Sequence, residues 1–178
     1  NVIIGNGTVG ALDGNGKLVE GTGNVYGGGQ IGRVEWNTNV TIGLASGTSA
    51  PVIRGNVFGA GKGDNTHGYA ALVRGNSTVL VQNNAKVGLS VYGGGEIASV
   101  GKYQLDENGF PYSLVSDQRG ICTVTVKDNV EIGPNDMKMY HEGVTADKDN
   151  PDDAGHVFGG GKGILPYVDM DPRGAGRI

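Results

Sequence analysis

The chain has 178 residues, with 35 glycines, 6 prolines, one cysteine and a formal net charge of −4. Glycine is far above its usual share of about 7%, yet no Gly-X-Y period runs through the sequence, which excludes a collagen triple helix. No Lys/Arg run offers a footprint for nucleic acid, no apolar run approaches the roughly 20 residues of a membrane span, and a lone cysteine excludes an internal disulfide.

The apolar residues make up 37% of the chain and lean to Val and Ile rather than Leu. Branching at Cβ suits a pleated strand better than a helix. No stretch carries a 3.6-residue period, and the glycine content makes a helix costly. The elements to expect are therefore short strands. The first is Asn1-Val2-Ile3-Ile4-Gly5. A chain that opens inside a motif in this way, and closes soon after another, reads as a piece of a longer protein. Ala11 to Val19 reads as a small hairpin turning on Asp13-Gly14-Asn15-Gly16. Next comes Val25-Tyr26-Gly27-Gly28-Gly29, then the strand Val34-Glu35-Trp36, then Asn39-Val40-Thr41-Ile42-Gly43.

The same succession then repeats. Val57-Phe58-Gly59-Ala60-Gly61 precedes an excursion near residues 64–75, the strand Val79-Leu80-Val81 and Asn84-Ala85-Lys86-Val87-Gly88. Val91-Tyr92-Gly93-Gly94-Gly95 precedes a longer excursion near 102–118, read as a hairpin with an Asn108-Gly109 turn and an edge arm carrying Pro111. Val124-Thr125-Val126 and Asn129-Val130-Glu131-Ile132-Gly133 follow, then a polar excursion near 135–155, then Val157-Phe158-Gly159-Gly160-Gly161. Three Val-led strands each begin five residues before an Asn motif, so they align as one class.

Fixed short strands separated by connections of variable length point to an all-β fold. The expected form is a parallel β-helix (β-solenoid) over residues 1–178, with about four coils of three short strands and hairpin or loop excursions leaving sideways. An antiparallel β-sandwich accounts for the hairpin turns but not for the alternating repeat. In the stacked arrangement Tyr26, Phe58, Tyr92 and Phe158 form an aromatic column. Asn1, Asn39, Asn84 and Asn129 form an amide column at a corner, since Asn tolerates the left-handed conformation and its amides can bond in a ladder. Adjacent strand residues face opposite sides, so either the Val column or the aromatic column lies outside unless a glycine bulge turns it. The glycines mark a corner where neighbouring backbones approach too closely for a Cβ, so Gly94→Val should disrupt folding.

Several stretches look like chemistry and fail on inspection. Gly27-Gly28-Gly29-Gln30-Ile31-Gly32 has dinucleotide-loop spacing but runs into the strand-like Arg33-Val34-Glu35-Trp36, and residue 47 is Gly where an acid is needed. Gly61-Lys62-Gly63 and Gly161-Lys162-Gly163 lack the Ser or Thr that follows Lys in a phosphate loop. Asp147 to Asp153 is an acidic loop without EF-hand spacing, read as solvated rather than calcium-binding. Cys122, inside Ile121-Cys122-Thr123-Val124, reads as a buried, inert thiol. No catalytic residue, metal ligand or cofactor is assigned.

The Val-Tyr/Phe-Gly-Gly-Gly blocks, with their Val-x-Val and Asn-Val-x-Ile-Gly strands, resemble the Gly-rich repeat regions of large secreted bacterial surface proteins, which are adhesin-like β-solenoids. The resemblance covers Asn1 to about Gly163 and transfers no functional residue. It implies a non-catalytic, extracellular or bacterial cell-surface role as stalk, adhesin or fibre subunit. The partners it implies are further coils, or other copies stacked end to end, with surface glycans or host proteins as ligands. Two other readings are a carbohydrate-active enzyme using Lys62, Asp64, Arg74 and Lys162, and a glycan-binding module using Tyr69, Tyr103, Phe110 and Tyr112.

Overall fold

A computed structural model of the chain describes residues 1–64, 70–108, 111–115, 117, 119–133 and 154–163. The described residues contain strands and no helix. Accordingly none of them forms a helix long and apolar enough to cross a membrane.

Twelve of the strands fall into three sheets, each of four parallel strands. The first sheet runs β1 (Val2–Ile4), β4 (Thr38–Ile42), β7 (Ser77–Val81), β12 (Cys122–Val126). The second runs β2 (Thr8–Val9), β5 (Val52–Ile53), β8 (Lys86–Val87), β13 (Glu131–Ile132). The third runs β3 (Val25–Tyr26), β6 (Val57–Phe58), β9 (Val91–Tyr92), β14 (Val157–Phe158). The chain visits first, second and third sheet in that order, four times over. Each visit lays one layer of three strands on the last.

Register follows the inward apolar side chains. Val2, Val40, Val79 and Val124 are in line, as are Ile4, Ile42, Val81 and Val126. In β4 and β7 buried residues alternate with more exposed ones, the period of a pleated strand. Val25, Val57 and Val91 from the third sheet join Val40, Ile42, Ile53, Val79, Val81 and Val87 in one buried cluster between the sheets. Burying a Val or Ile side chain contributes about 1.5–3 kcal/mol, and a single layer has too few of them to close around.

Two expected alignments change. Val34 does not stand in line with Val79 and Val124; that place belongs to Val40. Val34 pairs instead with Val73, and Val73 with Val100, in a separate ladder between the third sheet and the next visit to the first. The Asn motif also divides. Asn1 and Asn39 border or lie in strands of the first sheet, whereas Asn84 and Asn129 lead into β8 and β13 of the second. Alternation with two inward apolar residues is the same in both classes. Both can also exit on a left-handed glycine, Gly43 in one and Gly133 in the other. The pattern therefore reports which side faces inward, but not which sheet.

The excursions leave the layers at their corners. Leu12 and Leu18 bridge antiparallel, closing the hairpin expected near 11–19. The Asp13 carboxylate accepts from the Asn15 and Lys17 amides, which holds the turn. A second hairpin, β10 (Tyr103–Leu105) with β11 (Pro111–Leu114), forms a separate two-stranded sheet between β9 and β12. Much of the excursion near 135–155 and part of that near 64–75 lie outside the described residues.

Candidate functional site

The corner after each third-sheet strand gathers the repeated residues. Tyr26, Phe58, Tyr92 and Phe158 stack face to face, with ring centroids 5.0, 4.9 and 5.2 Å apart. That spacing is the parallel-strand repeat itself, so rings in register must stack. Val57 and Phe58 are both buried, as are Val91 and Tyr92. The aromatic column is thus covered on the side away from the Val cluster. The segment returning to the first sheet buries Ala71, Leu72, Val73 and Ala98, with Ala71 set against Gly61 and Ala98 against Gly95.

The glycines beside the rings are spacers between layers. A Cβ on Gly27 would strike the Gly59 carbonyl, one on Gly59 the Gly93 carbonyl, and one on Gly93 would lie 2.5 Å from the Gly159 carbonyl oxygen. In the next column Gly28, Ala60, Gly94 and Gly160 are in line through their amide-to-carbonyl bonds. Ala60 shows that one methyl fits there, while a Cβ on Gly94 would lie 2.7–3.0 Å from the Gly160–Gly161 backbone. A methyl is accommodated at Ala60, but one on Gly94 would already force the Gly160–Gly161 backbone to shift, and a branched side chain would force more.

Beyond the glycines runs another parallel ladder: Gln30, Lys62, Glu96, Lys162. Glu96 reaches across the Phe58 layer, where its carboxylate accepts from the Tyr26 hydroxyl. Asn24 Nδ2 donates to the same hydroxyl at 3.2 Å. Burial, then the neighbouring Glu96 carboxylate, push the Tyr26 phenol well above its ordinary range. Layers therefore come in two kinds. Tyr26-Gln30-Ile31 and Tyr92-Glu96-Ile97 make one kind, Phe58-Lys62-Gly63 and Phe158-Lys162-Gly163 the other, and they alternate. Ile31 (φ 62°) and Ile97 (φ 50°) are left-handed, which is unusual for a β-branched residue. The Ile97 carbonyl is thereby brought against the Gly63 Cα, leaving no room for a Cβ there.

Lys62 and Lys162 thus share a ladder, with Glu96 between them. Arg74 is engaged elsewhere, 2.8 Å from Glu35 and 3.3 Å from the Tyr103 carbonyl oxygen. The Asn residues stack in two pairs rather than one column: Asn39 Nδ2 donates to Asn1 Oδ1 at 3.0 Å, and Asn129 Nδ2 to Asn84 Oδ1 at 3.4 Å. Of the four, Asn84 is left-handed (φ 59°). Cys122 is half-buried at the start of β12, and burial raises its thiol pKa. Tyr103 is half-buried in β10, while Tyr69 and Phe110 lie outside the described residues. No group of His, Cys, Asp and Glu among the described residues could hold a metal ion. The acidic loop at 147–153 lies outside them.

The ladder through Gln30 and Glu96 escapes sequence reading because its members differ in type. The signal available was positional: each is the fourth residue after the aromatic. In comparisons with known proteins, no family model, no curated protein and no solved structure matches the chain.

Proposed function

We propose that the chain is a segment of a β-solenoid, an extracellular or bacterial cell-surface protein whose role is structural or adhesive, as stalk, adhesin or fibre subunit. One observation carries this reading: three parallel sheets, two extra ladders and an aromatic column all advance by one layer in the same register. Such an arrangement spends its repeated residues on holding layers together, and its excursions offer surface for surface glycans or host proteins. Its natural partners are more layers, either continuing the chain or supplied by another copy. The enzymatic alternative would need a cluster of acid and base groups; of its four residues, Arg74 is engaged by Glu35 and the Tyr103 carbonyl, while Lys62 and Lys162 stand in the ladder through Glu96.

A paired assay tests the proposal. The purified chain is applied to arrays of glycans and matrix proteins and incubated with a panel of polysaccharides. The reading expects saturable binding or inert scaffolding with no product released. Turnover of any polysaccharide, abolished by Lys62→Ala or Lys162→Ala in a folded protein, would overturn it in favour of the enzyme.

A further inference from the structure

The three sheets turn different residues outward. On the second, Lys86 and Glu131 point away from the core and pair at 2.9 Å. On the third, the outward rings of Phe58 and Tyr92 are buried. The first sheet carries no charge at its outward strand positions. In β4 and β7 the residues between the buried ones are Asn39, Thr41, Thr78 and Leu80, each more exposed than its neighbours. Register sets the outward residues in two columns up the side of the stack. Asn39, Thr78 and Thr123 make one, and Ile3, Thr41, Leu80 and Thr125 the other. Further layers at either end would lengthen these columns and cover neither.

Three properties restrict what this strip fits. It is uncharged, so it holds no attraction for a charged partner. Its hydroxyls are unspent: among the described residues those of Thr41, Thr78, Thr123 and Thr125 have no hydrogen-bond partner, whereas the buried Ser77 and Gln82 side chains donate to the carbonyls of Gly93 and Gly43. Its period is two layers, since one column alternates apolar and hydroxyl residues from Ile3 to Thr125. Successive layers lie one ring-stacking distance apart, 5.0, 4.9 and 5.2 Å along the aromatic column. Deepening the adhesive reading above, and resting on it, we propose that this strip binds a β-1,4-linked glucan extended along the stack, with one sugar to each layer. In such a ribbon each ring is flipped over relative to the last, so its edge repeats every second sugar as the column repeats every second layer. The apolar C–H groups of alternate rings rest on Ile3 and Leu80, and the hydroxyls between them bond to Thr41 and Thr125. Asn39, Thr78 and Thr123 take the hydroxyls of the other edge. Short side chains keep the strip flat, which suits a ligand whose substituents are hydroxyls rather than bulkier acetamides.

The test applies the 178-residue chain to microcrystalline cellulose in a pull-down, and to soluble cello-oligosaccharides of increasing length by calorimetry. The native chain should be retained, with affinity rising as longer oligosaccharides engage more layers. Thr41→Lys and Thr78→Lys place a charge on the strip at outward positions that leave the core alone, and each should weaken binding by about tenfold or more. Thr8→Lys, in line with Lys86 on the second sheet, should leave binding unchanged. Far-ultraviolet circular dichroism and a cooperative melt show that each variant is folded. A native chain that cellulose does not retain, or one that both strip variants match, overturns the proposal. Retention by chitin alone also overturns it, because recognition would then rest on the acetamide. A folded chain that ignores cellulose and releases no sugar leaves the structural or adhesive reading in place. Sugar released from cellulose would overturn that reading, and with it the proposal built on it, so the two failures are told apart.

Discussion

Gly59→Ala adds one methyl to a column that has none. The new Cβ would fall on the Gly93 carbonyl oxygen and the Ser77 hydroxyl, and lie 2.9 Å from Val79 Cγ2. Ordinary non-bonded contact is about 3.5 Å or more, so the second and third layers must part by about 1 Å at this corner. That parting stretches Gly59 N to Tyr92 O (2.9 Å) and Ala60 N to Gly94 O (3.1 Å), and displaces the Ser77 hydroxyl from Gly93 O (2.6 Å). Overpacking costs about 1–3 kcal/mol and each weakened hydrogen bond up to about 1 kcal/mol, so a loss near 4 kcal/mol is expected. That is a large fraction of the roughly 5–15 kcal/mol that holds a typical domain. Gly159→Ala occupies the same motif position but meets nothing within 4 Å among the described residues, so it should fall within about 0.5 kcal/mol of the native chain. Urea denaturation followed by circular dichroism at low protein concentration compares the two. Equal midpoints would refute the idea that these glycines exist to let layers approach.

Other outcomes follow from the same geometry. Phe58→Ala should cost about 3–5 kcal/mol, and Phe158→Ala, whose ring is covered on one face only, clearly less; thermal melts rank them. The Tyr26 phenol is raised by burial and by Glu96, so the native state keeps its proton at a pH where the unfolded chain releases it. The stability this supplies is complete below the ordinary tyrosine value of about 10 and is lost as pH rises beyond it. Denaturation midpoints across alkaline pH should fall more steeply for the native chain than for Tyr26→Phe. Cys122, with its raised pKa, should react with a thiol reagent at pH 8 far more slowly in the folded than in the urea-unfolded chain, and equal rates would count against its burial. Lys86 and Glu131 pair at 2.9 Å across adjacent strands, with both side chains nearly half exposed. A double-mutant cycle on them should return under about 1 kcal/mol and shrink with salt.

The third sheet was the most legible part of the chain. Val25, Val57, Val91 and Val157 stand in register where the Val-aromatic-Gly block places them, because ring stacking and the exclusion of Cβ both constrain residue type. The first and second sheets were harder to tell apart. Val40-Thr41-Ile42 and Val130-Glu131-Ile132 alternate alike, and the physics of alternation sets the inward face without choosing the neighbour. β2 and β5 carry two residues each, too few for any period to show. The ladder of Gln30, Lys62, Glu96 and Lys162 was obscured for another reason: its order depends on contacts between unlike residues one layer apart, which likeness between repeats does not reveal.

Hydrogen bonds that run from layer to layer also decide how the chain yields to force. Pulled by its two ends, the stack is loaded along those bonds, so an outer layer peels away before an inner one bears tension. Each rupture frees the chain between equivalent residues of neighbouring layers. From Val40 to Val79 that is roughly 130 Å at about 3.4 Å per residue, and from Val79 to Val124 roughly 150 Å. An optical trap would record unequal steps. Their sizes would be set by the loops that take no part in holding the layers, while their forces would be set by ladders that are nearly alike. Extensibility and strength are thereby written in different parts of the sequence, and a loop can lengthen one without weakening the other.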